Sequence, residues 1–250
     1  MKIDLNCDMG ESFGAWVMGD DANVMPHITS ANIACGFHAG DFGTMQRTVA
    51  LAKKHGVAIG AHVSLPDLQG FGRREMKVSA GDAYAMTLYQ IGALQGFARA
   101  SDVRVTHVKP HGALYNMAAR NRVLADAIAR AVRDVDDRLI LVGLADSELT
   151  RAADAAGLRA AHEAFADRRY ESDGSLTPRS ESDAVIQDID TAVAQAVSIA
   201  TNKKVDIRTG GTRNVRADTI CVHGDRPDAA LFAQRLRQAL DAAGVIVAAL

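Results

Sequence analysis

Carboxylates, imidazoles and a lysine recur in this chain at the ends of short apolar runs, and these are the side chains that carry protons or hold metal ions. Asp8 and Glu11 follow Ile3-Asp-Leu-Asn-Cys7. His38 and Asp41 close the segment Ala34-Cys-Gly-Phe-His-Ala-Gly-Asp41, and His62 ends the run Val57-Ala-Ile-Gly-Ala61. Lys109 and His111 stand two apart in His107-Val-Lys-Pro-His-Gly112. Glu163, Asp167 and Arg168 follow a sixth run, and His223 and Asp225 a seventh. A carboxylate beside an imidazole suits general acid–base catalysis. Asp8, His38 and His62 would equally make a carboxylate and two imidazoles fit for zinc or iron(II). The tight His-x-x-x-His and His-Glu-x-x-His spacings are absent, so a metal centre and a metal-free site both stay open.

Each residue has a plainer explanation. A lone histidine at a strand end is more often a hydrogen-bonded structural group, and Asp41 is well placed as a helix cap. Lys109 could be a solvated loop lysine, and Asp167-Arg168 a surface pair of little energetic weight. Arginines lie in two loops, at Gly70-Phe-Gly-Arg-Arg74 and across Ala166-Asp-Arg-Arg-Tyr170 to Leu176-Thr-Pro-Arg179. Arg73 and Arg168 suit a carboxylate or phosphate through paired hydrogen bonds; Arg74 looks like a surface charge. Gly210-Gly-Thr-Arg213 lacks a following Lys-[Ser/Thr] and is expected to be a surface turn.

The elements that must position these groups alternate. Seven candidate strands, Ile3–Cys7, Ser30–Ala34, Val57–Ala61, Val103–Val108, Leu139–Val142, Arg159–His162 and Thr219–Val222, are separated by amphipathic helical patterns. Asp41 can cap a helix with Phe42, Met45, Val49 and Ala52 on one stripe, closed by Gly56. Ser79 and Asp82 resemble a capping box ahead of Leu88, Ile91, Leu94 and Ala98. Asn121 precedes Leu124, Ala127, Ile128 and Ala131, and Asp146 precedes a helix ending near Gly157. A further helix is expected over Asp188 to Ala200, and Pro227 should open the last one. Repeated β-α alternation gives an open doubly wound sheet or a barrel. No Gly-x-Gly-x-x-Gly follows the first strand and no phosphate-loop signature is present, which favours a distorted, TIM-like (β/α) barrel of seven strands. In such folds sites are built at the carboxyl ends of the strands, where six of the seven runs deliver charge or imidazole.

Composition sets the class. The 250 residues are 48% hydrophobic and 23% charged, with a formal net charge of −2. That is an ordinary globular balance and not a nucleic-acid platform. There is no low-complexity tract or linker, so a single domain over 1–250 is expected. Charges at Lys2, Asp4 and Asp8 are unlike a secretory signal, and no apolar run is long enough for a membrane span. Cys7, Cys35 and Cys221 are too few and scattered for a disulfide framework, which points to a reduced, cytoplasmic protein.

Several segments resemble one family closely. Ile3-Asp-Leu-Asn-Cys-Asp8 with Gly10-Glu11, Ser30-Ala-Asn-Ile-Ala-Cys-Gly-Phe-His-Ala-Gly-Asp41 and Gly60-Ala-His62 are similar to the LamB/YcsF family. So are His107-Val-Lys-Pro-His-Gly-Ala-Leu-Tyr-Asn116, Phe165-Ala-Asp-Arg168, Gly174-Ser-Leu-Thr-Pro-Arg179 and Cys221-Val-His-Gly-Asp225. The likeness runs from the first residues to the last helix; Cys7, Arg169 and the stretch 206–216 depart from the usual pattern. The resemblance implies a barrel of the glycoside hydrolase/deacetylase type. It also implies ATP-dependent hydrolysis of 5-oxo-L-proline to L-glutamate, in a 5-oxoprolinase complex with B and C subunits.

That chemistry would assign the residues as follows. Asp8 or Glu11, helped by His62, would be the base for water, with His38 in the same site. Lys109 and His111 would stabilise the oxyanion or phosphoryl oxygens. Arg73 or Arg168 would hold the substrate carboxylate, with Asp41, Asp167, His223 and Asp225 as further substrate or phosphate contacts. ATP is the expected co-substrate, although the chain has no recognisable nucleotide fingerprint. Two other functions fit the same residues: a stand-alone metal-dependent deacetylase or amidohydrolase on a small amide, and a non-catalytic substrate-binding subunit.

Overall fold

Strand β1 (Lys2–Met9) alternates Ile3, Leu5, Cys7 and Met9 with Asp4, Asn6 and Asp8, and nearly all of it is buried. Period-two alternation sends the two sets to opposite faces of a strand. Here the apolar face meets the helices and the polar face lines a barrel. In the computed structural model, which describes residues 1–224 and 227–250, the strands that follow are β2 (Ser30–Ala34), β3 (Ala58–Val63), β4 (Val105–Pro110), β5 (Ile140–Leu144) and β6 (Arg159–Phe165). A short antiparallel hairpin, β7 (Lys204–Asp206) and β8 (Thr212–Asn214), precedes β9 (Thr219–Val222), and β10 (Ile246–Val247) comes last. All seven expected barrel strands form. They run parallel in the order β1-β2-β3-β4-β5-β6-β9, and β9 pairs back onto β1 to close the barrel. β10 adds to the outer start of β1, pairing Lys2 with Ile246.

A column of hydrogen bonds runs through the polar interior. Asp4 accepts from Thr29, Ser30 and Thr219 at 2.6–2.7 Å. Asn6 donates to Glu163 and Thr219. Asn32 donates to Asn6 and to Asp8, and the His107 ring meets the Asn32 Oδ1 at 2.9 Å. Such a column is tolerated inside a protein because each group has partners. Gly60 sits opposite His107 in the β3–β4 register, and a Cβ there would overlap the imidazole.

The helices are α1 (Asp21–Val24), α2 (Phe42–His55), α3 (Ala80–Ala100), α4 (Gly112–Arg120), α5 (Arg122–Val135), α6 (Glu148–Ala155), α7 (Ile189–Asn202) and α8 (Ala229–Ala242). Asp41 caps α2 and a left-handed Gly56 ends it. Ser79 and Asp82 form a reciprocal capping box on α3, Asn121 caps α5 and Asp188 caps α7. Four expectations are corrected. Phe42 is 82% exposed, because a side chain at the first helical position leans over the turn before it. Leu88 is 40% exposed, because the buried stripe of α3 passes through Thr87, Gln90 and Ile91 instead. The last helix begins at Ala229, two residues after Pro227, and Ser147 rather than Asp146 precedes α6. Gly210 and Gly211 form the exposed turn between β7 and β8, as expected, but Thr212 and Arg213 belong to β8, and Arg213 reaches the cleft described below. Among the described residues no helix is long and apolar enough to cross a membrane.

Candidate active site

A cleft of about 710 Å³ opens at the carboxyl ends of the barrel strands. Asp8, His62, Lys109 and His111 form its floor, and Arg73, Arg168, Arg179 and Arg213 stand on its wall. The register explains the floor: Asp8 lies beside Asn32 across β1–β2, and His62 beside Lys109 across β3–β4.

Lys109 is 2% exposed and places its ammonium 2.9 Å from both Asp8 Oδ1 and Glu163 Oε1. It also reaches Asn6 Oδ1 at 3.2 Å and the Cys221 sulfur at 3.2 Å. Burial disfavours that charge, but the carboxylates outweigh it and hold the lysine pKa well above its ordinary value. Burial would likewise raise the Asp8 carboxyl, yet His62 and Lys109 together hold it well below the usual carboxylate range. The floor is therefore an ammonium between two carboxylates.

Beside it the imidazoles gather. His62 turns Nδ1 to the Lys109 carbonyl at 2.9 Å and Nε2 to Asp8 Oδ2 at 3.2 Å. His111 turns Nε2 to the Phe71 carbonyl at 2.9 Å, and its Nδ1 meets His62 Nε2 at 2.9 Å. His38 stacks on His111 with ring centroids 3.9 Å apart, its Nε2 3.3 Å from Glu11 Oε1. Burial, with neighbouring imidazoles adding to it, pushes His38 and His111 well below the ordinary histidine pKa. The ligand atoms of Glu11, His38, His62 and His111 lie within 4.8 Å of one another, a grouping that could hold a metal ion. This differs from the set Asp8, His38 and His62: Glu11 and His111 join the two histidines, and Asp8 borders them through His62.

The loop after β3 covers this cluster. Gly72 has φ +64°, and a Cβ on it would press on Ser64, His38 and His111. That close approach brings the Phe71 carbonyl onto His111 and leaves Arg73 on the cleft wall, its guanidinium 4.8 Å from the Phe71 ring centroid. Arg74, largely exposed, instead pairs with the buried Asp67.

The remaining expected residues divide. Asp167 is fully buried and accepts from His223 Nδ1 at 2.7 Å, while Arg179 donates to His223 Nε2 at 3.0 Å. Arg168 spends donors on the Ala184 and Thr177 carbonyls, bracing the loop over the cleft, and burial lowers it to about 10. Asp41 does not line the cleft; its carboxylate accepts from the amides of Thr44 and Gly14 at 2.7 Å. Asp225 lies outside the described residues. Sequence reasoning did not place Asn6, Asn32 and Cys221 around Asp8 and Lys109, and it gave Glu163, set at a strand end, no role there. The alternation Asp4-x-Asn6-x-Asp8 was the available signal for a polar inner face.

The family model described as LamB/YcsF matches residues 3–250. The chain belongs to the LamB/YcsF family. Among similar members, the A subunit of 5-oxoprolinase from Bordetella pertussis is 57% identical over 247 residues, covering 99% of this chain and 98% of that one. The protein of the same name from Bacillus subtilis is 55% identical, covering 100% and 97%. The crystal structure of the lactam utilization protein from Thermus thermophilus superposes over the whole of both chains with TM-score 0.95 and 48% identity. A family 4 carbohydrate esterase from Streptomyces lividans aligns at TM-score 0.52 and 12% identity over 98% of this chain and 91% of that one, a likeness of barrel fold.

Proposed function

We propose that this LamB/YcsF chain is the A component of an ATP-dependent 5-oxoprolinase, opening 5-oxo-L-proline to L-glutamate with hydrolysis of ATP to ADP and phosphate. The reading rests first on full-length relatives at 53–57% identity that carry that name. B and C subunits are then the expected partners, and the barrel would work in the cytoplasm. The geometry adds a carboxylate–imidazole floor beneath an arginine wall, which suits a small anionic lactam.

The chemistry follows from the groups present. A lactam resists water because amide resonance is intact. Asp8, with its pKa held low, is ionised but a weak base, so it needs a carbonyl carbon already activated. Transfer of the ATP γ-phosphoryl to the lactam oxygen supplies that activation and releases ADP. Asp8, 3.2 Å from His62, takes a proton from the water that adds to the ring carbon. The C–N bond then breaks, the amine leaves protonated, and γ-glutamyl phosphate remains; a second water frees phosphate and glutamate. Lys109 acts by keeping Asp8 charged and by fixing it beside Glu163, because its donors already point at oxygens of Asp8, Glu163 and Asn6. Arg73, Arg179 and Arg213 hold the substrate carboxylate and the transferred phosphoryl group, while His223 and Asp167 orient Arg179.

The test is glutamate release from 5-oxoproline by the chain alone and with its B and C partners, each with and without ATP. Release only with partners and ATP is the expected result. Asp8→Asn in the full complex should then lower kcat by about 10²- to 10⁴-fold, the usual weight of a positioned base. The histidine–glutamate cluster favours one second reading, a stand-alone metal-dependent amidohydrolase. Turnover by the chain alone without ATP would establish that instead.

A further inference from the structure

Proton bookkeeping at the histidines leaves a charge missing. A backbone carbonyl can only accept, so His62 carries its proton on Nδ1, toward the Lys109 carbonyl, and His111 carries its proton on Nε2, toward the Phe71 carbonyl. As neutral rings, His62 Nε2 and His111 Nδ1 then present bare lone pairs to each other across 2.9 Å. Two lone pairs at that distance repel unless a cation lies against both. The carboxylates nearby make the same demand: Asp8 Oδ2 is 3.2 Å from His62 Nε2, and Glu11 Oε1 is 3.8 Å from His111 Nδ1. Asp8 gives its other oxygen to Lys109 and Asn32, which leaves Oδ2 turned to the histidines.

We propose that His62 Nε2, His111 Nδ1 and Glu11 bind a single divalent transition-metal ion at the bottom of the cleft, with Asp8 beside them as the base. The spacing fits. With metal–ligand bonds of about 2.1 Å, neighbouring ligand atoms stand about 3.0 Å apart in an octahedral site and about 3.4 Å in a tetrahedral one; the two edges here, His62 to His111 and His111 to Glu11, are 2.9 and 3.8 Å, the second more open than either ideal. Metal-bound histidines almost always donate their second nitrogen to a carbonyl or carboxylate, and both rings here do so. His38 is the outer member. Stacked flat on His111, it meets Glu11 through Nε2 and steers that carboxylate, while its buried Nδ1 has no hydrogen-bond partner among the described residues. Two imidazoles with one carboxylate suit zinc, iron(II) or manganese(II) better than calcium or magnesium, which favour oxygen alone. The inference stands on donor geometry and not on the identity of the substrate.

The test is metal binding by the full chain after chelation, with Zn²⁺, Mn²⁺ and Co²⁺ each titrated by calorimetry and the Co²⁺ complex followed by its visible absorption. Expected are one ion per chain and Co²⁺ bands of nitrogen–oxygen ligation. Affinity should fall more than 100-fold in His111→Ala. Because His111 is buried, the near-isosteric Glu11→Gln is measured beside it, with circular dichroism confirming that each variant is folded, and it too should bind more weakly. Absence of saturable binding by the folded wild-type chain overturns the proposal, as does binding undiminished in both folded variants. In the first case nitrogen NMR of the imidazoles should show a proton shared between His62 and His111. These readouts need neither ATP nor 5-oxoproline, so failure here and failure of glutamate release are separate results.

Discussion

Lys109 shows how one residue can serve stability and chemistry together. Its ammonium lies between two carboxylates where water scarcely reaches. Removing one member of a buried pair leaves the other charge uncompensated, typically at a cost of about 3–5 kcal/mol. Lys109→Met should therefore cost about that much in denaturant unfolding, and adding Asp8→Asn should restore part of it. A Lys109→Met chain of wild-type stability would mean that the carboxylates find other partners. At this scale the sequence was generous: Asp8, His62, Lys109 and His111 were legible from residue type and position at strand ends. Arg168 was not, because nothing in a sequence says whether a polar group is spent on backbone, and Asp41 was read both as a cap and as a substrate contact. Asp41 proved to be the cap that its position before α2 allowed.

At the scale of elements, the site depends on anchors that carry no chemistry. Gln90 on α3 is fully buried; its Oε1 accepts from the Ser64 amide and its Nε2 donates to the Ser64 carbonyl, both at 2.9 Å. This clamps the chain just past the end of β3, two residues after His62. Gln90→Leu keeps the volume but strands an amide and a carbonyl, each costing about 1–3 kcal/mol when buried and unpaired. The expected result is a loss of about 2 kcal/mol or more in urea unfolding, with His62 displaced. An unchanged urea midpoint would show that the loop refits. The strands and caps were legible because alternation and capping residues are local signals. The inside of β1 was misleading in a useful way, since a polar face ordinarily means solvent. Closure of the barrel turns that face inward, a tertiary fact that no local pattern contains.

For the molecule as a whole, the polar column makes acid its weak point. Burial, with Lys109 and His62 nearby, lowers His107 to about 3, against about 6.5 for an unperturbed histidine. Above pH 6.5 neither the folded nor the unfolded chain protonates it, and it contributes no pH dependence. Between those two values the unfolded chain binds a proton that the folded one refuses, so stability falls as pH drops through that window. Melting temperature measured from pH 8 to pH 4 should decline below about 6.5, and His107→Gln should flatten the decline. A profile of equal slope in that variant would move the cause elsewhere.

The seam between β1 and β9 has a consequence for how such a chain comes to exist. Asp4 on the first strand is held by Thr219 on the last barrel strand, and Asn6 by Glu163 and Thr219. A ribosome delivers β1 long before β9, and until residue 222 clears the exit tunnel the carboxylates of β1 have no enclosure to enter. They stay hydrated, the nascent barrel stays open, and the floor of the cleft assembles last, in one step with closure.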